Sequence, residues 1–142
     1  MKDVEYKTTL DIFLDVIGGK WKPLIIAKLA CGPMRPSQLL RELPGLNQRV
    51  LNVALRELGD DRIVARKVYA EIPPKTEYQL SEYGSTVVPI LNMMNEWGRT
   101  HIEGLIRDGV CQTRLAEDLK DAAANGIELQ KRSGRIEYRT EK

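Results

Sequence analysis

The stretch LPGLNQRVLNVALREL, residues 43–58, opens on a Pro-Gly break and runs straight into apolar residues at helical spacing. Leu51, Ala54, Leu55 and Leu58 share one stripe, while Gln48, Arg49, Asn52 and Arg56 point elsewhere. Asn47 has a side-chain oxygen for an amide left without a partner at the helix start, so it is the expected N-cap. Whether the polar face is an ordinary solvated surface or a contact surface depends on what lies on either side.

Upstream, RPSQLLREL places Pro36 in a first turn and Leu39, Leu40 and Leu43 on one stripe, and Pro44-Gly45 stops it. Two short helices joined by a Gly-containing turn make a helix-turn-helix, whose second helix can lie in a DNA major groove. Downstream, GDDR ends the helix near Leu58 and the period changes to two. IVARKVYAEI alternates Ile63, Ala65 and, after a slip, Val68 and Ala70 against Arg66, Lys67, Tyr69 and Glu71. IPPK turns the chain, and TEYQLS returns with Thr76, Tyr78 and Leu80 on one side. A hairpin directly after a helix-turn-helix is a wing.

Working outward, TLDIFLDVIG predicts a first helix ended by Gly18-Gly19, and KWKPLIIAKLAC a second, with Pro23 in its first turn and Gly32-Pro33 beyond it. Ser81-Glu82 is expected to cap a long final helix through residues 82–109, which Pro89 bends or effectively starts. The winged unit spans 8–107, and 108–142 is an extension. Within the extension, QTRLAEDLKDAAANG predicts one more helix. IELQKRSGRIEYRTEK reads as a polar hairpin around Ser133-Gly134 or as a disordered tail; the tail is favoured, because isolated hairpins are marginal in water.

At 142 residues the chain is expected to be one domain with an appendage. No stretch reaches the roughly 18 apolar residues of a membrane span, and MKDVEYKTTLDIF lacks the pattern of a signal peptide, so a cytoplasmic protein is expected. Cys31 and Cys111 are far apart and have no partners at metal-ligand spacing, which argues against a disulfide framework or a zinc site. The chain has one histidine, His101, and neither a phosphate-binding glycine loop nor a catalytic Ser-His-Asp order, so neither enzyme nor cofactor is expected.

The blocks LDVIGGKWKPLII, GPMRPSQLLRELPGLNQRVLNVALREL, VYAEIPPKTEYQLSEYG and EWG, in this order across roughly residues 10 to 101, resemble the HxlR-type transcription regulators, a branch of the MarR-like winged helix proteins. The resemblance implies a mainly α fold with a small β-hairpin wing: a winged helix-turn-helix with a three-helix core and N- and C-terminal dimerisation helices. It further implies a bacterial or archaeal homodimer that represses or activates transcription from a palindromic double-stranded DNA operator, often in response to a small molecule or an oxidant. The dimer would form through the first and last helices, with Leu10, Phe13, Leu14, Val88, Leu91, Met94 and Trp97 at the interface. Three departures stand out. A cysteine that many relatives use as a redox switch is Thr8 here. Two recognition-helix positions that are polar in many relatives are Val53 and Ala54. The usual glycine after that helix is Arg62.

Residues 35–79 carry eight Lys and Arg against six Asp and Glu, a weak electrostatic footprint, so the DNA-binding reading rests on placement. Gln48, Arg49 and Asn52 have the chemistry for bidentate contacts to base edges, and Arg56 lies far enough along to meet phosphate. Lys75, beside Pro73-Pro74 at the hairpin tip, suits the minor groove or flanking phosphates. Of Arg66 and Lys67 at most one can face the duplex, and Lys67 is the candidate. Ser37 and Gln38 open the third helix and either meet phosphate or simply cap. Trp21, Trp97, Met93 and Met94 read as core or interface. The alternative to DNA binding is a winged helix used as a protein-interaction module, for which the near-neutral charge and the Val53-Ala54 pair speak.

Overall fold

The computed structural model describes residues 3–109, 127–132 and 135–140. Among these residues, five α-helices, α1 (Thr9–Ile17), α2 (Trp21–Leu29), α3 (Pro36–Glu42), α4 (Gln48–Asp60) and α5 (Val88–Arg107), are joined by a hairpin of β1 (Val64–Tyr69) and β2 (Lys75–Leu80) between α4 and α5. This is the winged helix-turn-helix. A second antiparallel hairpin, β3 (Ile127–Arg132) with β4 (Arg135–Thr140), pairs Ile127 with Thr140 and Arg132 with Arg135. Of the two readings of this segment, the hairpin, and not the favoured disordered tail, fits residues 127–132 and 135–140. The helix expected over 112–126 lies outside the described residues.

Local chemistry sets the helix ends. Thr8 Oγ1 accepts from the Asp11 amide at 3.2 Å, and the Thr8 amide donates to Asp11 Oδ2 at 2.9 Å, a reciprocal capping box. Asn47 caps α4 as expected, its Oδ1 accepting from the Val50 amide at 2.9 Å. At the start of α3, Gln38 Oε1 accepts from the Arg35 amide at 2.8 Å.

The far end of α4 sets the wing. The Ile63 amide donates to Leu58 O at 2.8 Å and the Arg62 amide to Gly59 O at 3.0 Å. Arg62 sits at φ 64°. This is a Schellman ending with Arg62 in the left-handed position, and Leu58 and Ile63, both buried, are its apolar pair. The position at which the resemblance implies glycine thus keeps a left-handed backbone with an arginine on it. Ser81 locks the turn from the other side: its hydroxyl donates to Arg62 O at 2.6 Å and accepts from the Gly84 amide at 2.8 Å. Gly84 must be glycine, since a Cβ there would stand 2.0 Å from Ile63 O.

Two expectations change here. Ser81-Glu82 do not cap α5; they precede a short 3-10 turn, Gly84–Val87, and α5 begins at Val88, with Pro89 in its first turn. In β1 it is Val64 that is buried and paired with Leu80, where the expected apolar side ran through Ala65; Arg66 and Val68, on the same face as Val64, are exposed, so only the start of the strand faces the core. A feature absent from the sequence reading is the bridge between Met34 and Tyr78, with amide-to-carbonyl bonds of 2.9 and 2.8 Å, which ties the start of the helix-turn-helix to the wing.

The core is a cluster in which Ile25 and Ile26 of α2, Leu39 of α3, Leu51, Leu55 and Leu58 of α4, and Val88 and Leu91 of α5 are all buried. Burial of each such side chain is worth about 1.5–3 kcal/mol, and it fixes which face of α4 is left outside.

Candidate nucleic-acid interface

With Leu51, Ala54, Leu55 and Leu58 buried, the 3.6-residue turn brings Arg49, Val53 and Arg56 to the opposite side of α4, flanked by Asn52. Gln48 is exposed at the first helical residue, nearer the Asn52 flank. Among the described residues, Gln48, Arg49, Asn52 and Arg56 make no side-chain hydrogen bond or ion pair within the subunit. Their donors and acceptors face outward, as direct readout needs. Ala54 is buried and packs in the core, so it offers nothing to a base edge. Val53 remains half-exposed within the outward face.

Ser37 is exposed at the second residue of α3, whereas Gln38 is taken up by the cap. The structure therefore separates two residues that the sequence left together.

The wing corrects the expectation for Lys75. Its ammonium does not project from the tip: it pairs with Glu77 at 2.9 Å and lies 4.9 Å from the centre of the Tyr69 ring. Lys67 stacks on the same ring at 4.8 Å, and Glu77 also accepts from the Tyr69 hydroxyl at 3.1 Å. The register explains this, because Lys67 stands opposite Glu77 and Tyr69 opposite Lys75 on one face of the hairpin. The hydrogen bond from Lys75 is the main cause that holds the Glu77 carboxyl below its ordinary range, with the Tyr69 hydroxyl also helping. The face therefore offers two cations and one carboxylate. Arg66 points to the other face, opposite Tyr78. The tip itself is Glu71, Ile72, Pro73 and Pro74, all exposed.

A second brace joins α2 to α4. Lys22 Nζ lies 2.6 Å from Glu57 Oε2, and this hydrogen bond and charge lower the Glu57 pKa. Nothing in the helical periodicity signals that pair, since it links positions far apart in sequence.

The residues assigned to an interface divide in two. Leu10 and Leu14 on α1 are 63% and 53% exposed, and Met94 and Trp97 on α5 are 51% and 69% exposed. Phe13 is half-buried against the core. Val88 and Leu91 are corrected: at 0% and 4% exposure they are core residues of the subunit, with no surface to give a partner. Both fall on the side of α5 that faces α2.

Comparison with known proteins agrees with this geometry. Residues 16–105 match the HxlR-like helix-turn-helix family. The HTH-type transcriptional regulator YtcD of Bacillus subtilis is 43% identical over 108 residues, 76% of this chain and 86% of its own length. An HTH-type transcriptional regulator of Methanothermobacter thermautotrophicus is 42% identical over 101 residues, covering 71% of this chain and 77% of that one. Among solved structures, the redox regulator HypR in its reduced form superposes with a TM-score of 0.67 at 42% identity, covering 70% of this chain and 99% of that one. A helix-turn-helix with its unpaired polar face outward, a wing beside it, and these relatives give one conclusion: the chain belongs to the HxlR-like helix-turn-helix family and is a DNA-binding transcription regulator of the HxlR/MarR type.

Proposed function

We propose that the protein acts as a homodimer on a palindromic operator, with α4 of each copy in successive major grooves. The observation that carries this reading is the apolar surface on α1 and α5. Ile90, Met93, Met94 and Trp97 recur at spacings of three and four along α5, all exposed, and Leu10 and Leu14 stand one turn apart on α1. Large apolar side chains grouped in this way on a folded subunit mark an interaction surface. Pairing through them would place two α4 helices in one assembly, and half-sites about 34 Å apart are what such a dimer reads. Arg49 and Asn52 are the base-reading residues, Gln48 assists from the helix start, and Arg56, Ser37 and the Lys67 face of the wing meet the backbone.

The setting is the cytoplasm of a prokaryote, where the chromosome lies; among the described residues no helix is long and apolar enough to cross a membrane. A small-molecule effector would act by changing the separation of the two α4 helices. The redox route that the resemblance associates with a cysteine is closed at Thr8, whose hydroxyl caps α1.

Sedimentation of the purified chain and anisotropy with duplexes from upstream of its own gene test the proposal. The expected results are a dimer, two copies per duplex, and a monomer from Trp97→Asp that loses operator binding. Arg49→Ala should cost about 1–3 kcal/mol on the operator and flatten the preference over unrelated DNA. A wild-type monomer that binds one copy per duplex would overturn the dimer. Equal losses on all duplexes from Arg49→Ala would remove base reading from Arg49.

A further inference from the structure

Between the α1–α2 loop and α4 lies a surface hollow of about 290 Å³ that borders the outward face of the recognition helix at Arg49 and Val53. Trp21, Val50, Val53 and Ala54 give it apolar surface, and its charged lining is Lys20, Lys22 and Arg49 with one carboxylate, Glu57. The loop reaches this place because Gly18-Gly19 breaks α1, with Gly19 at φ 86°, and because the Lys22–Glu57 pair holds the first turn of α2 against α4.

The two neighbouring lysines differ in their partners. Lys22 is neutralised by Glu57 at 2.6 Å. Lys20 has no carboxylate partner among the described residues and lies 4.7 Å over the Trp21 ring, exposed at the mouth of the hollow. Arg49 is likewise unpaired. With Glu57 taken up by Lys22, the hollow is left with an apolar lining and two unpaired cations, and it shares Arg49 and Val53 with the surface that meets the groove.

An α-helix about 10–12 Å across nearly fills a major groove about 12 Å wide, so the strands run close along both of its flanks. With Arg49 and Val53 turned into the groove, the flank carrying Val50 and Glu57 meets one of those strands, and the hollow opens on that flank. A sugar-phosphate unit suits such a lining: the deoxyribose presents carbon to the apolar surface and the phosphate presents anionic oxygens to the cations.

We propose that this hollow seats one deoxyribose-phosphate unit of the strand beside α4, with Lys20 holding its phosphate and Trp21, Val50 and Val53 covering its sugar. The inference rests on the DNA-binding reading and adds to it a phosphate contact from Lys20, which lies outside the helix-turn-helix and the wing. Because the contact is to backbone, it strengthens binding to every sequence alike and sets the register of α4 in the groove.

The test is anisotropy with the full chain on the operator duplex and on an unrelated duplex, between about 50 and 200 mM salt. For Lys20→Gln, the slope of log affinity against log salt should become shallower by about 0.9, the value of one phosphate contact. Affinity at about 150 mM should fall about fivefold on both duplexes, as one lost counterion release implies. Lys20→Arg should restore both quantities, and Val50→Glu should weaken both duplexes alike by placing a carboxylate in the apolar lining. An unchanged slope in Lys20→Gln, or a loss confined to the operator, overturns the proposal. Saturable calorimetric binding of benzoate that Lys20→Gln abolishes, together with an unchanged salt slope, would assign the hollow to a small organic anion instead. Wild-type chain without salt-dependent binding to either duplex would remove the DNA-binding reading itself, an outcome distinct from any shown by the variants.

Discussion

Arg62→Gly should stabilise the protein, although it removes a charged side chain from the turn between recognition helix and wing. Arg62 holds φ 64° because the Schellman ending of α4 requires a left-handed residue there, and Ser81 fixes the Arg62 carbonyl at 2.6 Å. For a residue with a Cβ that conformation costs about 1–2 kcal/mol. Glycine relieves this but adds freedom to the unfolded chain, which takes back about 0.4–1 kcal/mol. Among the described residues the exposed guanidinium makes no hydrogen bond or ion pair, so its removal breaks none. The net is a gain of about 0.5–1 kcal/mol. With a urea dependence of about 1–3 kcal/mol per M for a small domain, the unfolding midpoint should rise by about 0.5 M. Arg62→Ala separates backbone from side chain: alanine pays nearly the same left-handed penalty, so its midpoint should stay within about 0.2 M of wild type. Equal midpoint shifts for the glycine and alanine variants, or a fall with glycine, would refute the account of this turn.

Two other outcomes follow from the ion pairs. Glu77→Gln should release Lys75 while leaving an acceptor for the Tyr69 hydroxyl. The salt slope of DNA binding should steepen by about 0.9 and affinity rise about fivefold at about 150 mM; an unchanged slope would show that this face of the wing does not meet the backbone. Glu57 is held below the ordinary glutamate value of 4.5 by the hydrogen bond and charge of Lys22. A carboxyl lowered by folding contributes stability that is complete above the ordinary value and is lost as pH falls through the folded one. The decline of the urea midpoint between about pH 5 and about pH 3 should therefore be smaller in Glu57→Gln than in wild type, and equal declines would show that the pair does not couple to folding.

The helices were legible because their signals are local. Asn47 caps α4 through a residue three places on, Gly18 ends α1 by donating to Leu14 O, and Pro89 marks the start of α5. The four-residue recurrence of Leu51, Leu55 and, nearby, Leu58 told which side of α4 is buried, and hence that Arg49, Asn52 and Arg56 are outside. The errors lie where a neighbour in space, or the type of element formed, decides the outcome. Val88 and Leu91 look like any other apolar residues of α5, and only packing against α2 shows that they are core while Met94 and Trp97 remain bare. Lys75 looked like a tip cation because its partner Glu77 stands two residues away on the same strand face, a spacing that means contact only once the strand exists. The phase of β1 failed because Ile63 belongs to the helix ending and not to the strand.

The sequence by itself determined that this chain makes two short helices, a turn and a wing, and which side of the recognition helix carries polar groups, since caps, breakers and periodicity act over three or four residues. Tertiary structure alone decided which cations stay free. Lys20 and Lys22, Lys67 and Lys75 are equivalent as letters, but a carboxylate neutralises Lys22 and Lys75 at 2.6 and 2.9 Å. Charge available to a phosphate depends on the distance to the nearest carboxylate, and that distance is set by how helices and strands pack.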